Sequence, residues 1–356
     1  MARNMIEENS QFFNHLIQYC LRSDIHLGEG KRYLSRGPVD TSVLKYSAVR
    51  EVFKIGTHKA IVSFEYGIGG GGRTYVGVSG FPSVDENMNS MSYFGTRVRK
   101  VSSGPGGFIR LVNESKIEPS ATPDSVADYV AFGHIGEGDY CGHHYIGAAE
   151  LFPQVDFYEV VVSTEEWKFN EFALCLCASE NYYGGGWIDE NLKDSLIDLA
   201  ISVKDPFPYE FLARSIVGLD PRILFLALYR CIEAAYSRKQ ATDLKVALGV
   251  NIPWFELAVH VMDKTSWRVK EYPSMKSLLS QLDEELVLQV GSLFPEGDTD
   301  QISKAAERIY GLRNSIVHFG PSRSAVDLNQ YDWTGICSGM CKLASGIYIP
   351  SFLESS

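Results

Sequence analysis

The sequence predicts an α+β protein. A mixed, strand-rich N-terminal domain over residues 1–205 is followed by an all-α helical bundle over residues 206–356. Three observations carry this. The chain has 356 residues, enough for two domains of about 150 residues, each able to bury a core without staples. Eleven glycines fall between Gly67 and Gly107, a density that favours turns and bulges over helices. After Asp205-Pro206-Phe207-Pro208 the apolar residues adopt helical spacing, and a residue before proline is pushed out of the helical region, so the boundary is placed near 205.

In chain order, residues 5–22 read as a helix. Phe12, Phe13, Leu16, Ile17 and Cys20 recur on one face, with Glu7 and Glu8 near the start. Ala60 to Tyr66 and Tyr75 to Val78 are β-prone runs flanking a glycine tract, and Phe108 to Val112, Phe157 to Val162 and Phe172 to Cys177 are further strand candidates. Residues 192–205 read as a connecting helix. In the bundle, Asp220 and Pro221 supply an N-cap and first helical residue, and Leu224, Leu228, Cys231 and Ala235 follow at helical spacing. Trp254–Thr265 and Ser274–Val290 are the second and third helices. Asp300 caps a fourth, through Ile302, Ala306, Ile309, Leu312 and Ile316, and a fifth runs from Trp333 to Ile347.

Composition narrows the function. Hydrophobic residues are 45% and charged residues 22% of the chain, which excludes a disordered chain. No apolar run approaches the roughly 18 residues of a membrane span, and MARNMIEENSQFF has no apolar core of a signal peptide. The seven cysteines then read as reduced thiols of a cytoplasmic protein. The net charge of −11 excludes a generic basic nucleic-acid binder. Most of the acidity lies in residues 1–205, so an RNA contact belongs to a local patch in the C-terminal part.

Two motifs have plain readings. Gly67, Gly69 and Gly72 spell GxGxxG, but Arg73 to Val78 then reads as strand where a dinucleotide site needs a helix. The tract reads as a glycine-rich hairpin. His134, Cys141, His143 and His144 cluster within eleven residues, without a second pair at zinc spacing. They read as surface histidines on a glycine-rich loop. A metal enzyme in this N-terminal region is the weakest of three functional readings.

Arg313 and His318, in Leu312-Arg313-Asn314-Ser315-Ile316-Val317-His318, are a different matter. A histidine can exchange protons near neutral pH, and an arginine can hold a phosphate through two parallel donors. Roughly one Arg–His pair with four to six intervening residues is expected by chance in this composition, so context decides. At about 100° per residue Arg313 falls in the middle of the apolar stripe of its helix. A charge there is costly unless paired or turned to a cleft or interface. His318 would fall on the opposite side of a straight helix. Gly320 and Pro321 end the helix, and unwinding its last turn brings the histidine round.

A late helix ending in RNxxxH, in Ala305 to Gly320 (AAERIYGLRNSIVHFG), together with LYRCIEAAY at Leu228 to Tyr236, resembles the HEPN superfamily. The resemblance covers roughly the last 150 residues and implies the following. The domain is a metal-independent endoribonuclease with no cofactor, of the kind found in abortive-infection, toxin–antitoxin and antiphage defence. Arg313 and His318 are the catalytic Rx4–6H pair and Asn314 supports them. The active form is a homodimer with two motifs facing one cleft. RNA, tRNA included, is the substrate. Residues 1–205 form a sensing or regulatory domain that meets a protein or phage-derived trigger. The toxin subgroup's tyrosine, two residues after the histidine, is replaced by Gly320, so control by modification there is not expected. The alternative is a non-catalytic HEPN-like dimerisation and protein-interaction module.

Overall fold

The computed structural model describes residues 5–28, 30, 32–35, 47–67, 72–81, 95–102, 104–131, 140–163, 166–203, 207–265, 270–295, 300–318 and 327–349. The chain divides into two compact units, Met1–Leu176 and Cys177–Ser356. The predicted boundary near 205 falls at residues 204–206, outside the described residues.

The first unit is α+β. Helix α1 (Met5–Leu21) buries Phe12, Phe13, Leu16 and Cys20, the face its spacing predicts. Five strands follow: β1 (Ser47–Ile55), β2 (Lys59–Tyr66), β3 (Arg73–Ser79), β4 (Val98–Val101) and β5 (Val155–Val160). They form one sheet in the order β1-β2-β3-β5-β4, every pairing antiparallel. Tyr66 pairs with Arg73, so β2 and β3, which flank the glycine tract, are antiparallel neighbours as a hairpin requires. Gly69 lies outside the described residues.

Two strand candidates are helical instead. Phe108 to Val112 lies in α2 (Gly104–Ser115), and Phe172 to Cys177 in α5 (Phe169–Tyr183). Both runs are buried on every side, which erases the 3.6-residue period that would have marked them as helix. Helix α2 lies against the sheet, with Leu111 among Val62, Phe64 and Phe157. Gly77 permits the approach: a Cβ there would stand 3.1 Å from Leu111 and 3.0 Å from the Phe157 ring. The unit also contains α3 (Pro123–Ala131) and α4 (Tyr145–Glu150).

The expectation of surface histidines is corrected at His143. Its ring is buried, 4.9 Å from that of Phe13 and 5.0 Å from that of Tyr129, with Nδ1 2.5 Å from the Tyr140 hydroxyl. Its backbone also bridges Leu34 in parallel, which ties the segment after α1 to the unit. His144 is exposed and caps α4 through Nδ1. Cys141 is exposed, and His134 lies outside the described residues.

Glu171, in the first turn of α5, makes the stability of this unit pH-dependent. Burial pushes its carboxyl up to about 7, against the pull of Lys168 and Arg97. The folded state therefore keeps a proton that the unfolded chain releases near its ordinary value of 4.5. Stability is lost as pH rises between these values, and the penalty is complete above about 7. Glu171→Gln is expected to stabilise the protein at pH 8 by up to about 3 kcal/mol and to change little at pH 4. Unfolding midpoints at the two pH values check it; equal shifts at both refute the titration.

The second unit is helical. Helix α5 crosses the division and is followed by α6 (Glu190–Ser202), α7 (Tyr209–Ile216), α8 (Pro221–Ala234), α9 (Arg238–Leu248) and α10 (Trp254–Thr265). Then come α11 (Glu271–Leu279), α12 (Glu284–Ser292), α13 (Ile302–Val317) and α14 (Trp333–Tyr348). The five-helix layout becomes eight among the described residues after 206, for three reasons. Helices α7 and α9 were not anticipated. The segment Ser274–Val290 is two helices, because Asp283 leaves helical geometry and accepts from the Leu286 amide at 2.9 Å as a new N-cap.

Helix α8 starts as predicted, with the Asp220 carboxylate accepting from the Arg222 amide at 3.0 Å and Pro221 next in line. Helix α13 does not. Gln301 takes the cap position without a side-chain capping bond, and Asp300 pairs with Lys304 Nζ at 2.7 Å. The core of the unit sits around α8 and α14, where Leu224, Leu228, Ile336, Met340, Leu343 and Ile347 are buried. Cys337 and Cys341 are buried thiols there, as their one-turn spacing suggested. Among the described residues, no helix is long and apolar enough to cross a membrane.

Candidate active site

Helix α13 carries the site. Its stripe is buried at Ala305, Ala306, Ile309 and Leu312, but the last turn leaves the core: Val317 is 48% exposed. Arg313 stands at that transition, with its side chain 17% exposed. The charge that the stripe made costly is paired inside its own unit. The guanidinium lies over the Tyr229 ring of α8, 5.5 Å from its centroid, and Nη1 is 3.6 Å from Glu271 Oε2 of α11. Nη1 also donates to Asn314 Oδ1 at 2.9 Å.

His318 completes the group. The helix ends at Val317, and His318 has an extended backbone (φ −102°, ψ 100°) while its amide still donates to the Asn314 carbonyl. This departure carries the ring back toward the helix. Arg313 Nη1 and His318 Nε2 stand 3.4 Å apart. A guanidinium can only donate, so in a hydrogen bond between them Nε2 is the acceptor. His318 is exposed, and Phe319, Gly320 and Pro321 after it lie outside the described residues.

The three predicted residues therefore sit together: an arginine, an amide and an imidazole at one helix end. Around them, Tyr229, Tyr236 and Glu271 were not predicted. Tyr229 is fully buried beneath Arg313 and receives a hydrogen bond from the Tyr236 hydroxyl at 3.1 Å. Burial, assisted by the charges of Glu233 and Glu271, pushes its hydroxyl up to about 12, so it stays neutral. Glu233 is half-buried on α8. Burial first and the Glu271 charge second raise its carboxyl, while Arg313 and Arg230 pull the other way. Arg230 itself lies over the Phe211 ring, 5.8 Å from its centroid.

A sequence signal for part of this surrounding exists. Tyr229 and Glu233 in LYRCIEAAY follow i, i+4 spacing on one face of α8, and Tyr236 comes just after the helix ends at Ala234. Glu271 has no such signal, since it comes from a different helix.

Chemically, the arrangement holds an imidazole beside a fixed cation at a partly open surface. Such a pair can take a proton from a hydroxyl and stabilise charge on a phosphate. Set against known proteins, the chain matches no family model, no curated relative and no solved structure.

Proposed function

We propose that the second unit is a metal-independent endoribonuclease domain of the HEPN type, working in the cytoplasm as a homodimer. The observation that supports it is the meeting of Arg313 and His318 at 3.4 Å, although an ideal helix places them on opposite sides. In this reading the 2′-hydroxyl of RNA attacks the adjacent phosphorus and the bond from phosphorus to the 5′-oxygen breaks. His318 takes the 2′-hydroxyl proton as general base, and the proton it gains is given to the leaving 5′-oxygen as the bond breaks. Arg313 stabilises the charge that gathers on the phosphorane. Asn314 holds Arg313 in place. The products are a 2′,3′-cyclic phosphate and a 5′-hydroxyl. No cofactor takes part. The biological role that fits is an antiphage or abortive-infection toxin, with the first unit meeting a protein or phage-derived trigger.

A second reading, the non-catalytic dimerisation and interaction module, is favoured by one feature: Arg313 already has an acidic partner in its own unit. Incubating the full chain with total tRNA and a mixed RNA pool in EDTA separates the two. The nuclease yields cyclic-phosphate ends, undiminished by chelator. No cleavage, with or without RNA from infected cells as a source of trigger, favours the module.

A further inference from the structure

We infer that Glu271 is a positioning residue for Arg313, an assignment that rests on the ribonuclease reading above. The contacts of the guanidinium are one-sided. Glu271, Asn314 and His318 all meet Nη1, at 3.6, 2.9 and 3.4 Å. The Tyr229 ring supports the guanidinium from α8, and Glu271 holds its edge from α11. Among the described residues, none bonds to Nε or Nη2.

A guanidinium is planar and rigid. Anchoring Nη1 over a buried ring therefore fixes where the remaining donors point. Nε and Nη2 present parallel N–H groups, the fork that matches two oxygens of a phosphodiester. Asn314 and His318 stand on the same chain segment as Arg313 and move with it. Glu271 is the anchor from another helix, so it ties the fork to the body of the unit. It also carries a negative charge, 39% exposed in its side chain, beside the place where a polyanion must sit. The same carboxylate thus orients the catalytic arginine and repels the substrate.

These two effects separate in kinetics. In the full chain, Glu271→Gln keeps the size of the side chain but loses the charge that anchors Nη1. Its kcat for RNA cleavage is expected to fall about tenfold or more, as misplacement of a reacting group does, while KM stays level or falls because a repulsive charge is gone. Glu271→Asp is expected to recover part of kcat. A residue with only a folding role lowers the active fraction and leaves KM, the Asp rescue and this split unmoved.

An unchanged kcat in Glu271→Gln, with active wild type, overturns the inference and leaves the ribonuclease reading standing. An inactive wild type overturns that reading instead. The anchor itself is then read in the 15N guanidinium spectrum of Arg313, assigned through Arg313→Lys. Separate Nη1 and Nη2 signals in the wild type that merge in Glu271→Gln support anchoring; merged signals in both refute it.

Discussion

His318→Ala is expected to reduce RNA cleavage about 10²- to 10⁴-fold, the usual contribution of a positioned general acid or base. Arg313→Ala is expected to cost about 10²- to 10³-fold, as loss of a donor aimed at developing charge does. Arg313→Lys should recover little, because a lysine keeps the charge but not the planar fork or the stacking on Tyr229. His318 is exposed at the end of α13, so its removal leaves the buried stripe of Ala305, Ala306, Ile309 and Leu312 intact. Unfolding midpoints of His318→Ala and wild type should therefore agree within about 0.5 kcal/mol. The measurement is the initial rate on a labelled RNA in EDTA. Equal rates for His318→Ala and wild type rule out the imidazole as the proton carrier.

The second large effect lies in the first unit. Arg110 on α2 is buried and meets Glu8 of α1 at 3.6 Å and Glu114 of its own helix at 3.4 Å, and donates to the Ser47 carbonyl of β1 at 3.3 Å. Asn113 donates to Glu8 Oε2 at 2.7 Å. Glu8 is 1% exposed. Arg110→Met removes the cation beside that buried carboxylate, and breaking a buried ion pair by half costs about 3–5 kcal/mol. The double variant Arg110→Met, Glu8→Met removes both charges and is expected to be less destabilised than the single one. Hydrogen exchange of the α1 and α2 amides reads this locally. Full protection of those amides in Arg110→Met shows that the network contributes nothing. The pair is a poor source of stability compared with apolar residues of similar volume, but breaking it by half is severe.

Arg110 also shows how a local reading goes astray. Its flanks, Phe108 and Ile109 before it and Leu111 and Val112 after it, look like a strand because each is apolar and three are aromatic or β-branched. Only the packing of α2 between the sheet and α1, with Phe108 and Phe12 in edge contact at 5.7 Å, shows a helix buried all round. The run Phe172 to Cys177 in α5 fails for the same reason. Where one face is wet, the period survives, and α1, α8 and α13 are legible.

The candidate site divides along the same line. Arg313, Asn314 and His318 lie within six residues of one another, so their common helix end and its termination near Gly320 can be read from the sequence. So can the α+β class, the glycine-rich hairpin and the N-cap at Asp220, because each depends on neighbours in the chain and on local backbone preferences. Tertiary structure alone decided that Tyr229 lies beneath Arg313, that Glu271 stands 3.6 Å from Nη1, and that His143 is buried among aromatic rings. These contacts join elements far apart in the chain. No local propensity specifies them; they follow from which faces remain to be covered when helices and sheet pack, and from the need of a half-buried charge for a partner.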